Sequence, residues 1–101
     1  MSDTPLGNFD SHEPPAGLNA PLQALWWLKK GDLSVGPEWE KAHEICQSAE
    51  GTKAYDWVHA LAHLIEGDVG NAGYWFQRAG EAQTGDAIER EWAYIVERLN
   101  A

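Results

Sequence analysis

His59 and His63 stand four residues apart in the run Trp57-Val58-His59-Ala60-Leu61-Ala62-His63, with His43 upstream. Residues at i and i+4 share one face of a helix. Two imidazoles so placed can hold a divalent metal such as zinc, with a further donor from a neighbouring helix. His43, His59 and His63 are therefore the candidate metal ligands, and Asp56 and Glu66 flank them. The zinc-protease pattern is missing, because Ala60 rather than glutamate follows His59. A catalytic metal is not expected. The same histidines also suit a plainer role, as polar residues of a groove or as partners of a backbone carbonyl or a carboxylate.

Other reactive residue types carry less. Cys46 is the only cysteine, which excludes an internal disulfide. It falls between Ala42 and Ala49 at core spacing, where a free thiol behaves as a small hydrophobe. Gly67, Gly70 and Gly73 recur at short spacing but follow a helical pattern, so they are no phosphate loop. Trp26 and Trp27 are adjacent. Neighbouring helical positions differ by about 100°, so one of the two indoles is expected to face outward as a partner contact. Lys29 and Lys30 beside them suit a peptide carboxylate or simply the C-terminal end of a helix dipole.

These residues need elements to position them. The chain has 101 residues, 44% of them hydrophobic, with six tryptophans, enough for one modest core. The net charge of −9 runs against a phosphate-binding footprint and against an anionic lipid surface. Neither nucleic acid nor membrane is an expected partner. No basic region followed by an apolar stretch opens the chain, and Ala24–Leu28 is its longest apolar run, so a cytoplasmic address is expected.

Residues 1–18, with Pro5, Gly7, Pro14, Pro15 and Gly17, read as a flexible acidic tail whose Leu6 and Phe9 can dock on the body. Residues 19–101 read as a single helical domain. The first helix is predicted over Ala20–Lys30, capped by Asn19 and stopped at Gly31. The second runs from Pro37 to about Ala49. The third covers Lys53–Glu66, with Trp57, Val58, Leu61, Ala62, Leu64 and Ile65 on one arc. The fourth begins at Asp68 and ends at Gly80. The fifth opens at Asp86 with Glu89 as its capping-box partner and carries Trp92, Ile95 and Leu99. No segment alternates as a half-buried strand does, so the expected class is all-α.

Gly31-Asp32 recurs as Gly67-Asp68, each followed by a small–bulky–small pattern: Ala42, Cys46, Ala49, then Ala72, Phe76, Ala79. Gly67, Asp68, Ala72, Phe76 and Ala79 resemble the second helix of the tetratricopeptide repeat. Ala60 matches the small residue of that repeat's first helix, but His59 and His63 stand where the family prefers apolar residues, so the resemblance is degenerate. The runs Trp57-Val58-His59-Ala60, Glu66-Gly67-Asp68, Gly70-Asn71-Ala72 and Tyr74-Trp75 are also similar to a group of short bacterial proteins, which supports the fold and adds no mechanism. The resemblance implies two helical hairpins, with the fifth helix covering Trp75 and Phe76 as a cap.

By analogy with such repeats, the first expectation is a non-catalytic module, not an enzyme. It would bind a protein or peptide in a groove lined by His43, Asp56, His59, His63 and an outward indole of Trp26 or Trp27. It would act as a monomer or, through an uncapped first helix, a homodimer. The alternative expectation is a metal- or small-ligand-binding protein using the three histidines.

Overall fold

The computed structural model describes residues 6–100. Five α-helices follow one another: α1 (Ala20–Lys30), α2 (Pro37–Gln47), α3 (Lys53–Ile65), α4 (Val69–Ala79) and α5 (Ile88–Leu99). No strand occurs among the described residues. The all-α class read from the sequence is the class observed.

Local chemistry sets most boundaries. Asn19 Oδ1 accepts from the Leu22 amide, and Pro21 sits in the first turn, where no amide donor is needed. Asp68 caps α4 by accepting from the Asn71 amide. α5 departs from expectation, because it starts at Ile88 with Ala87 as its cap residue. Thr84 Oγ1 instead accepts from the Asp86 amide. That turn is held from below by the buried Glu91, whose carboxylate accepts from the Thr84 amide at 3.0 Å and hydroxyl at 2.6 Å.

The two Gly-Asp pairs are not structural equivalents. After α3, Gly67 takes the left-handed position (φ 87°), and the Asp68 amide reaches back to His63 O at 3.0 Å, a Schellman closure. After α1 the closure is shifted by one residue. Leu33 N donates to Leu28 O at 2.9 Å, and two residues with a Cβ, Asp32 (φ 60°) and Leu33 (φ 54°), take left-handed positions. The second pattern also diverges at its end. Ala79 is buried inside α4, whereas Ala49 lies beyond the end of α2 and is only half-buried.

α3 is the axis of the molecule. It packs against all four other helices, while α4 packs only on α3. α5 crosses α1 and α3 rather than covering α4. Its expected role as a lid over Trp75 and Phe76 is therefore corrected. Trp92 is drawn toward α1, where its Nε1–H donates to Leu25 O at 2.8 Å. A buried indole needs a partner for that N–H as well as apolar contact, and this carbonyl supplies it.

Residues 6–18 form no helix, and Leu6 and Phe9 lie against the body of the protein. Leu6 is fully buried and Phe9 packs against Trp26 and Trp92, each at 6.0 Å between ring centroids. No described helix is long and apolar enough to cross a membrane.

Asp32→Gly is expected to stabilise the protein by roughly 0.5–1 kcal/mol, because glycine occupies the left-handed position without the Cβ penalty. Gly67→Ala, at a left-handed position already served by glycine, is expected to cost about 1 kcal/mol. Urea melts of the two variants check both signs.

Candidate metal centre

α2 and α3 place the three candidate histidines together. Their ring nitrogens, one from each, all lie within 4.8 Å of one another. His43 Nε2 and His59 Nε2 are 3.1 Å apart. The His59 and His63 rings, one turn apart on α3, lie 4.8 Å apart between centroids at an interplanar angle of 26°. Each ring is also held by its surroundings. Trp39 stacks on His43 at 4.8 Å and 11°, and is itself anchored by an Nε1–H donated to Ala62 O at 2.8 Å. Trp75 of α4 stacks on His59 at 4.0 Å and 21°. His63 Nδ1 pairs with Glu66 Oε2 at 2.6 Å.

The burial of the cluster differs from that of an open groove. His59 and His63 are 2% and 7% exposed, while His43 is half-buried and marks the solvent side. The other expected groove residues are elsewhere. Asp56 is buried, accepting the Gly51 amide at 3.1 and 3.2 Å with Arg78 Nε at 4.0 Å, so it fastens the α2–α3 loop. Trp26 is fully buried, with its Nε1–H directed to Asn8 O, and Trp27 is half-buried against the core with Lys41 Nζ 5.2 Å from its ring centroid. The two indoles are unequally buried, as adjacent helical positions suggested: the N-terminal segment covers Trp26, and Trp27 is the one left partly exposed. Lys29 and Lys30 are likewise engaged, with Glu89 and with Phe9 O. Cys46 is buried in the core, and burial pushes its thiol pKa up, leaving no reactive thiolate.

The electrostatics favour neutral rings at His43 and His59. Burial, then the neighbouring His43 and His63, push the pKa of His59 down to about 4. Burial lowers that of His43 as well, aided by His63. A neutral imidazole carries one lone pair, the form a metal requires. His63 Nδ1 is taken up by the Glu66 carboxylate, so Nε2 is the ring nitrogen left to face a metal, the carboxylate–histidine arrangement that orients metal ligands. His59 Nδ1 is buried and lacks a hydrogen-bond partner among the described residues. A metal is thus suited by donor type and by the closeness of the three ring nitrogens. The Trp39 and Trp75 walls and the Glu66 support were not visible in the sequence motif. Only the i, i+3 spacing of His63 and Glu66 hinted at the last of these.

The lowered pKa values fix the sign of a pH dependence for the metal-free protein. In the unfolded chain these imidazoles protonate near pH 6.5, whereas folded His59 does so near pH 4. Between the two values the unfolded state binds more protons. Stability is therefore intact above pH 6.5 and falls as the pH drops through that window, by roughly 3 kcal/mol from His59 at full protonation. Urea melts from pH 7.5 to 4.5 are expected to show this slope, and His59→Leu is expected to flatten it. Identical slopes in the two proteins would contradict the assignment.

No family model matches the chain, and neither the curated proteins nor the solved structures searched contain a match, so the geometry of the three imidazoles is the guide to function.

Proposed function

We propose that this protein binds one divalent metal ion of the zinc class through His43, His59 and His63, without catalysing a reaction. One observation carries the reading: the 3.1 Å separation of His43 Nε2 and His59 Nε2. Two nitrogens each about 2.0–2.1 Å from a tetrahedral zinc ion stand roughly 3.3 Å apart. The apo side chains are thus within a few tenths of an ångström of a ligating pair. A hydrogen bond between two neutral imidazoles accounts for the same distance, but it uses neither the convergence of His63 nor its carboxylate support.

The scaffold fits this role. The ligands come from α2 and α3, so an ion fastens the first helix pair to the second. In a tetratricopeptide-like arrangement, which the packing of α3 on α1, α2 and α4 supports, that contact is the junction between successive hairpins. Peptide binding at the histidines themselves is less favoured, since His59 and His63 are buried and Asp56 is committed to the Gly51 loop.

Isothermal titration of tag-free, chelator-treated protein with Zn²⁺ and Co²⁺ tests the proposal. One ion per chain is expected, with a rise in thermal stability, equivalent to about 2.7 kcal/mol at a free-metal concentration one hundred times Kd. Alanine at His43, His59 or His63 is expected to abolish stoichiometric binding. Glu66→Gln is expected to weaken it about tenfold or more through loss of the support to His63. Absence of saturable binding in the wild type, or equal binding by all three alanine variants, would remove the proposal.

A further inference from the structure

The turn that ends α3 sets a second group of donors against the three imidazoles. Glu66 is the C-cap residue of α3, and Gly67, in its left-handed conformation (φ 87°), reverses the chain. The Asp68 amide then donates to His63 O at 3.0 Å, which brings Asp68 back beside the last turn of the helix it has just left. One ligating atom each from His63, Glu66 and Asp68 lies within 4.8 Å of the other two. His63 thus belongs to two donor sets, this one and the set with His43 and His59. The shared imidazole is buried, whereas Glu66 and Asp68 are exposed.

The charge at this corner favours a cation. The last carbonyls of a helix are the negative end of its dipole, where a cation is stabilised and a carboxylate is not. Glu66 stands there nonetheless. The start of α4 offsets Asp68, whose carboxylate caps that helix by accepting the Asn71 amide at 3.3 Å. Among the described residues no Lys or Arg forms an ion pair with either carboxylate, and Glu66 is paired with His63 alone. Exposed carboxylates take up an ion that still carries most of its water, since oxygen donors suit hydrated cations. Two of the three inner rings are buried, so the ion must lose that water before it reaches them.

We propose, on the reading that the three imidazoles hold a divalent ion, that Glu66 and Asp68 form with His63 an outer site where that ion is first captured and from which it passes to the inner one. As a ligand an imidazole gives one lone pair, so His63 serves one ion at a time and the two sites are not filled together. The stoichiometry stays at one ion per chain. On passing inward the ion exchanges carboxylate oxygens for imidazole nitrogens, which suit zinc. Glu66 then returns to His63 Nδ1, the contact observed in the metal-free protein. Asp68 has no place in the loaded centre. It therefore governs how fast the ion enters and leaves, and since both directions share one path, it leaves the affinity unchanged.

Stopped-flow absorbance with Co²⁺ tests this on the tag-free, chelator-treated full chain, reading uptake on mixing with the ion and release on mixing with excess chelator. Asp68→Asn removes the charge and keeps the cap of α4, because asparagine caps as well as aspartate does. It is expected to slow uptake and release alike, by about tenfold, with Kd unchanged. Glu66→Gln differs in kind, because loss of the support to His63 raises Kd. Glu40→Gln is the control for net charge: Glu40 is exposed, lies one turn before His43 on α2 and belongs to neither donor set. Its uptake rate is expected to stay within about twofold of the wild type. Uptake by Asp68→Asn at the wild-type rate, or equal slowing in Asp68→Asn and Glu40→Gln, would overturn the outer site and leave the histidine centre standing. A raised Kd with faster release in Asp68→Asn would also overturn it, by placing Asp68 in the final coordination. Absence of saturable Co²⁺ uptake by the wild type would instead remove the histidine centre, and the outer site with it.

Discussion

Eight consecutive residues of α3, Asp56 to His63, are buried. Two turns of helix enclosed on every side leave no solvent face, so a carboxylate or imidazole within them is costly unless it finds a partner inside the protein; the Trp57 indole N–H has none among the described residues. Three of the eight are Asp56, His59 and His63. Asp56 finds the Gly51 amide of the α2–α3 loop, His63 finds Glu66, and His59 finds His43. The histidine cluster is a consequence of that enclosure: a helix wrapped by four others cannot keep imidazoles on its surface unless they face one another or a ligand.

The same enclosure explains why the rings hold their places. Trp39 and Trp75 come from α2 and α4, and each lies against one histidine as a flat wall. Area burial on the order of 200 Å² for an indole contributes several kcal/mol, far more than the reorientation of a ring would recover. Trp39 is further fixed by its bond to Ala62 O within α3. The imidazoles are thus positioned by packing, and the lowered proton affinity of His59 and His43 follows from burial and from the neighbouring rings. Preorganisation of this kind reduces the ordering cost that a ligand must overcome.

Much of the scaffold was legible because its signals are local. Asn19, Asp68, Gly67 and the apolar spacing of α3 each act within a few residues, and the helices appear where those signals put them. What spacing left open or misplaced concerns long-range choices. Whether Trp26 or Trp27 faces water depended on a segment eighteen residues upstream whose carbonyl accepts the Trp26 indole N–H. The path of α5 depended on Trp92 finding Leu25 O, on a helix 67 residues earlier. The Gly31-Asp32 pair looked like Gly67-Asp68, but the turn closed one residue later and left aspartate and leucine in left-handed positions. At the site, the i, i+4 histidines and their neighbour His43 were readable from spacing, whereas the burial that lowers the proton affinity of His43 and His59, and the two indole walls, arise only from tertiary packing.

X-ray absorption at the metal edge of the zinc-loaded protein addresses the central claim most directly. Three imidazoles holding one ion between α2 and α3 predict three nitrogen neighbours at about 2.0–2.1 Å, with the multiple-scattering signature of histidine rings and one further light-atom ligand. A shell made of carboxylate or water oxygens alone, or a spectrum unaltered by His43→Ala, would contradict it.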